Sequence, residues 1–138
     1  MGAQPPVPRL EELSQRTDLR AGGTAVIRGI GVDVAKVERF SKIAPEHVLS
    51  PAELLTYQSF GIAARKHEFL AGRFAVKEAI IKASPTGLSV KSMPLIEIAN
   101  DVNGRPYLAS GQFPLLRVWL SISHEADVAV GLCVLESD

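Results

Sequence analysis

The stretch that decides the fold is Arg73-Phe-Ala-Val-Lys-Glu-Ala-Ile-Ile-Lys82. It holds no Pro or Gly, and its pattern predicts the body of a long helix. Arg73 stands a turn before Lys77 and Glu78 a turn before Lys82, so basic and acidic groups fall on one patch at four-residue spacing. The plain reading of such a patch is a solvated face laced with ion pairs. Phe69, Leu70, Phe74, Ile80 and Ile81 supply an apolar side. Pro85 with Gly87 ends the helix, which is expected over 64–84.

Working upstream, Ser50-Pro-Ala-Glu53 predicts a second helix start: Ser as N-cap, Pro at the first position and Glu closing a capping box. This helix is expected to run to about Ser59, with Gly61 as its stop. Ala25-Val-Ile-Arg-Gly-Ile-Gly-Val-Asp-Val34 is apolar and β-branched, as a strand buried on at least one face would be. From Val34 to Ile43 the spacing predicts a helix, with Val37, Phe40 and Ile43 on one side and Lys36, Arg39 and Lys42 on another. Downstream, strands are expected over 95–99, 106–108, 117–123 and 128–135. Asn103-Gly104 marks a hairpin between the first two, and Glu125-Ala-Asp127 a tight connection between the last two. The class is α+β, without the regular βα alternation of a doubly wound sheet.

The chain has 138 residues, enough for one domain with a core of its own. Residues 1–23 read as a flexible N-terminal leader: Pro5, Pro6 and Pro8 favour extended backbone, and Gly22-Gly23 makes a joint to the domain over 24–138. Acidic and basic residues balance at 15 each, so any steering of charged partners must be local. Whole-molecule charge thus points to neither nucleic acid nor a membrane surface. One cysteine, Cys133 within an apolar run, excludes an intrachain disulfide and a Cys-rich metal site and predicts a buried thiol. No apolar run is long enough to span a bilayer and no basic-then-apolar signal opens the chain, so the expected compartment is the cytoplasm.

The candidate chemistry begins at Asp33, where an apolar strand gives way to a helix in this reading. It is either an N-cap carboxylate or a hard-cation ligand. Glu78 is a plausible second carboxylate, and Mg²⁺ held by one or two carboxylates with phosphate oxygens suits phosphoryl transfer. Lys82 and Arg73, on the same face as Glu78 or near it, are the complementary cations. His124 ends an apolar strand, where its ring can donate to phosphate or simply cap the strand. Ser121 and Ser123 share one strand face and lack a Gly-x-Ser-x-Gly elbow, which argues against a serine hydrolase. A Gly-x-x-x-x-Gly-Lys phosphate loop is also missing.

Four segments, Gly29-Ile-Gly-Val-Asp33, Glu68 to Ala83, Asn103-Gly-Arg-Pro106 and Ser121-Ile-Ser-His124, stand in the order found in one family. In them the chain resembles the holo-(acyl-carrier-protein) synthases, the small single-repeat 4'-phosphopantetheinyl transferases. The resemblance implies that family's fold, a long helix packed on a largely antiparallel sheet. It also implies transfer of the phosphopantetheine arm of coenzyme A (CoA) to a serine of an apo acyl carrier protein or carrier domain. Adenosine 3',5'-bisphosphate leaves. By position Asp33 and Glu78 match the Mg²⁺ ligands, and Lys82 a lysine beside the CoA phosphates. Arg73, Asn103, Gly104, Arg105, Pro106 and His124 match positions lining the CoA site. Lys36, Arg39, Phe40 and Lys42 fall where the family docks its acidic carrier protein. The family forms a homotrimer with active sites between neighbouring subunits, and its carriers serve fatty-acid, polyketide and peptide synthesis. Ser84-Pro-Thr-Gly87 stands where its members usually have a Gly-Thr-Gly turn.

Overall fold

Two glycines in the first strand set the distance between sheet and helix. The computed structural model describes residues 24–138; the expected leader lies outside them. Strand β1 (Val26–Lys36) pairs antiparallel with β5 (Val128–Ser137), which pairs antiparallel with β4 (Arg117–Glu125), in the order β1-β5-β4. Helices α1 (Pro51–Ser59) and α2 (Ala63–Ala83) follow β1. A Cβ on Gly29 would fall 2.0 Å from the Ala83 carbonyl oxygen, and one on Gly31 only 1.9 Å from that of Ala79. Gly131 of β5 meets Val76 N at 2.3 Å in the same sense. Small residues on both sides, glycines on the strands and Ala75, Ala79 and Ala83 on α2, let the backbones approach this closely.

Alternation along β1 then places Gly31, Asp33 and Ala35 towards α2 and Ile30, Val32 and Val34 away from it. The α2 side is the core, in two clusters around Phe40, Leu49, Leu70 and Met93 and around Val76, Ile80, Ile96 and Leu135. Cys133 is buried there, and burial pushes its thiol up to about 12, as expected of an inert core residue. Among the described residues, none covers the other side of the sheet. Ile30, Val32, Val34, Trp119 and Leu132 are all exposed on it, Ile30 by 63%. The register makes them neighbours: Val32 pairs with Leu132, while Ile30 and Trp119 both pair with Val134.

Sequence chemistry fixes the ends of α1. Glu53 N donates to Ser50 Oγ (3.2 Å) and Ser50 N to Glu53 Oε1 (2.9 Å), the full capping box, with Pro51 in the first turn. The helix ends on an extended Phe60, one residue before the expected Gly61. Two short strands, β2 (Ile98–Asn100) and β3 (Pro106–Leu108), form a separate antiparallel hairpin. In its turn Gly104 N donates to Asp101 O (2.9 Å), Asp101 Oδ1 accepts from Asn103 N and Arg105 N, and Gly104 takes φ +82°. The strand expected over 95–99 starts late because Pro94 sits inside a 3-10 turn, Val90–Leu95.

The helix expected from Val34 to Ile43 does not form. β1 continues through Lys36, and only a five-residue 3-10 turn, Val37–Ser41, follows. The β-branched Val32, Val34 and Val37 favour the extended chain. Val37 N also donates to Asp127 O (2.7 Å) in the β4–β5 connection, which holds the segment to the sheet.

Candidate active site

The expected single polar patch on α2 divides into two faces with different partners. Arg73 and Lys77 are buried, not solvated, and both meet Glu53 of α1. Lys77 Nζ donates to Glu53 Oε1 (2.5 Å), Val48 O (2.6 Å) and Met93 O (3.0 Å), which uses all three of its protons. Burial pulls the Lys77 ammonium and the Arg73 guanidinium below their ordinary values, and the Glu53 charge opposes that shift in both. Sequence reading assigns Glu53 only its place in the capping box and Lys77 only a place in the polar patch, not a buried ion pair between them. The capping-box pattern at Glu53 gave no sign that its carboxylate also receives two buried cations.

One step round α2, Glu78 and Lys82 lie against β1. Asp33 is paired with Gly131 inside the strand, so it is no N-cap. Lys82 Nζ stands 3.0 Å from Asp33 Oδ1 and 3.1 Å from Val32 O. The Glu78 carboxyl is held above its ordinary value, first by burial and then by the Asp33 charge, with Lys82 and Arg39 pulling the other way. Two carboxylates near enough to repel one another offer oxygen donors of the kind a hard cation takes. Among the described residues no group of three or more His, Cys, Asp or Glu could hold a metal. A pair of carboxylate ligands with open positions is what Mg²⁺ uses on phosphate substrates, so the residues present fit that ion.

On the opposite side of α2 a cleft of about 340 Å³ opens towards the β2–β3 turn. Arg73, Gly104, Pro106 and His124 of the expected CoA-site residues line it; Asn103 and Arg105 do not. His124 shares the α2-facing side of β4 with Ile122, whereas Ser121 and Ser123 point to the other face. Arg65, Phe69 and Asn100 also border the cleft and were missed from sequence. Arg65 lies over the Phe60 ring (5.1 Å to its centroid) and Arg73 over Phe69 (4.6 Å), so both cations are carried on aromatic faces. Asp33, Glu78 and Lys82 do not line this cleft, so one chain presents the expected site as two halves.

Of the expected docking residues, Arg39 and Lys42 border a shallow hollow with Glu38 and Ile43, and Lys36 is exposed at the end of β1. Phe40 is different. It is 1% exposed and packs on Phe74, ring centroids 5.2 Å apart, so it is core and not an exposed apolar anchor. Beyond α2, Thr86 N bonds Ser84 Oγ (3.3 Å) and Gly87 takes φ +70°, so the Ser84–Gly87 segment turns tightly despite Pro85.

The 4'-phosphopantetheinyl transferase superfamily model matches residues 29–133, which include both halves of the site. The holo-[acyl-carrier-protein] synthase of Bacillus subtilis (strain 168) is 38% identical over 118 residues, covering 80% of this chain and 97% of that protein. The corresponding enzyme of Lactococcus lactis subsp. cremoris (strain SK11) is 42% identical over 120 residues, 82% of this chain and all of that one. Among solved structures, the holo-(acyl-carrier-protein) synthase of Bacillus anthracis str. Ames in complex with CoA (3',5'-ADP) superposes with a TM-score of 0.72. It is 38% identical, and the match covers 81% of this chain and 98% of that one. By family model, relatives and fold alike, the chain belongs to the 4'-phosphopantetheinyl transferase superfamily, among the holo-(acyl-carrier-protein) synthases.

Proposed function

We propose that this chain transfers the 4'-phosphopantetheine group of CoA to a serine hydroxyl of an apo acyl carrier protein, with Mg²⁺, in the cytoplasm. The serine oxygen bonds to the β-phosphorus, the bond from that phosphorus to the bridging oxygen breaks, and adenosine 3',5'-bisphosphate departs. The observation that carries the reading is the pairing of Asp33 on β1 with Glu78 on α2 beside Lys82, while the other face of α2 opens on a cationic, aromatic cleft. The cleft residues Arg73, Arg65 and His124 suit the nucleotide and its phosphates, and Phe60 and Phe69 hold the cations in place. Lys82 places a cation where negative charge gathers on the leaving bisphosphate. Mg²⁺ on Asp33 and Glu78 would supply charge neutralisation at the pyrophosphate. The serine proton leaves to water oriented by a carboxylate of the pair.

The two halves lie on different faces of α2, so the complete site is formed between copies of the chain in a homotrimer. The bare apolar face of Ile30, Val32, Val34, Trp119 and Leu132 supports this, since a monomer rarely leaves such a contiguous patch in water. Arg39 and Lys42, with Lys36, dock the acidic carrier. The test is intact-mass analysis of apo carrier protein with CoA and Mg²⁺. One phosphopantetheine is gained with the unsubstituted protein and none with Asp33→Ala or Glu78→Ala. Normal transfer by both variants would overturn the assignment of the pair.

A further inference from the structure

Arg73 reaches the cleft from a buried stem, and one directional contact fixes how its guanidinium points. Its Nε lies 3.1 Å from Glu53 Oε2, an ion pair not aligned for a hydrogen bond. Its face rests on Phe69, which sets the plane but not the rotation within it. Rotation is set by Nη2, which donates to Asn100 Oδ1 at 2.6 Å. Asn100 Nδ2 in turn donates to Gly104 O at 3.0 Å. One amide therefore ties a cation on α2 to the turn between β2 and β3. Arg73, Asn100 and Gly104 all border the cleft.

We propose that Asn100 is a positioning residue for CoA binding. Its amide fixes the spacing between the Arg73 guanidinium and the Gly104–Pro106 side of the cleft, so that a phosphate-bearing nucleotide meets both at once. Among the described residues Arg73 Nη1 carries no hydrogen bond and is available to a phosphate oxygen. This rests on the transferase reading of the cleft. Glu53 holds the far end of the same relay, but it also anchors Lys77, so substituting it would disturb folding. Asn100 is exposed and can be changed alone.

The experiment is CoA titration calorimetry and steady-state kinetics on Asn100→Ala, Arg73→Lys and the double variant. Asn100→Ala is expected to raise the Kd and KM for CoA about tenfold, the scale of one hydrogen bond to a charged group, with kcat falling far less. In the Arg73→Lys background, which keeps a cation for Glu53, the same change is expected to cost less than about twofold, because the two residues act as one unit. Wild-type CoA affinity in Asn100→Ala would overturn the proposal. So would an undiminished loss in the Arg73→Lys background. Failure of the unsubstituted protein to bind CoA would overturn the transferase reading beneath it.

Discussion

Gly31→Ala puts the added methyl 1.9 Å from the Ala79 carbonyl oxygen and 2.8 Å from its carbon. A Cβ does not come within 3.0 Å of backbone, so β1 and α2 must part by about 1 Å, and neither neighbour is a flexible side chain that could yield. Overpacking of this kind costs about 1–3 kcal/mol. For a domain of this size that lowers the unfolding midpoint by about 4–12 °C. The same movement reaches the site, because Asp33 is two residues along the same face of β1 and Glu78 immediately precedes Ala79. Displacing one carboxylate from the other by about 1 Å is expected to lower turnover about a hundredfold. Thermal unfolding followed by circular dichroism and turnover at saturating CoA measure the two effects together. Gly61→Ala is the control: its Cβ would meet nothing within 4 Å, so both readouts stay at their original values. Retention of midpoint and turnover by Gly31→Ala would refute the close approach. A lowered midpoint with full turnover would refute its role in setting the pair.

Three further outcomes are expected. The Glu78 carboxyl is raised in the fold, so its contribution to stability is greatest at acid pH and is lost as pH rises through its folded value. Mg²⁺ relieves that loss and should raise the unfolding midpoint more at neutral than at mildly acid pH; an equal rise at both would contradict the ligand assignment. Lys77→Met strips Glu53 of its shortest partner and leaves Val48 O and Met93 O without their donor, and should destabilise by about 3–5 kcal/mol in urea titration; adding Glu53→Gln should destabilise further, because the buried Arg73 then loses its counter-charge. Arg39→Glu/Lys42→Glu should slow association with an acidic carrier about tenfold or more at low salt, an effect that fades at high salt and is read by stopped-flow.

Much of the fold was legible because its signals are local. Ser50-Pro-Ala-Glu53 specifies its own cap, Asn103-Gly104 its own turn, and Pro85 the end of α2, so these elements formed where the sequence put them. The failures came where distant partners decide. Val34 to Ile43 carries helical spacing, but a bond to Asp127 in the β4–β5 turn keeps its start extended. Phe40 shares its spacing with Val37 and Ile43, a pattern that fits a core side as well as a docking anchor, and only the assembled core, with Phe74 against it, decides for burial. At the site, Asp33 and Glu78 were readable as an acidic pair, but the burial of Lys77 depends on a carboxylate 24 residues upstream. The division of α2 into two faces had a signal that four-residue spacing obscured: Arg73 and Glu78 are five residues apart, about 140° round a helix. Asn100 had no such signal, since its role is visible only once β2, β3 and α2 are together.

The central claim, a transferase site shared between copies, is tested most directly by complementation. Glu78→Ala lacks the carboxylate half and Arg73→Lys with His124→Ala impairs the cleft half, so each alone should transfer little or no phosphopantetheine. Co-expressed with different tags and left to assemble at random, the two should recover about a quarter of wild-type turnover, because each mixed cyclic trimer contains one intact interface. Mixed oligomers isolated through both tags that gain no activity over either parent would contradict the account.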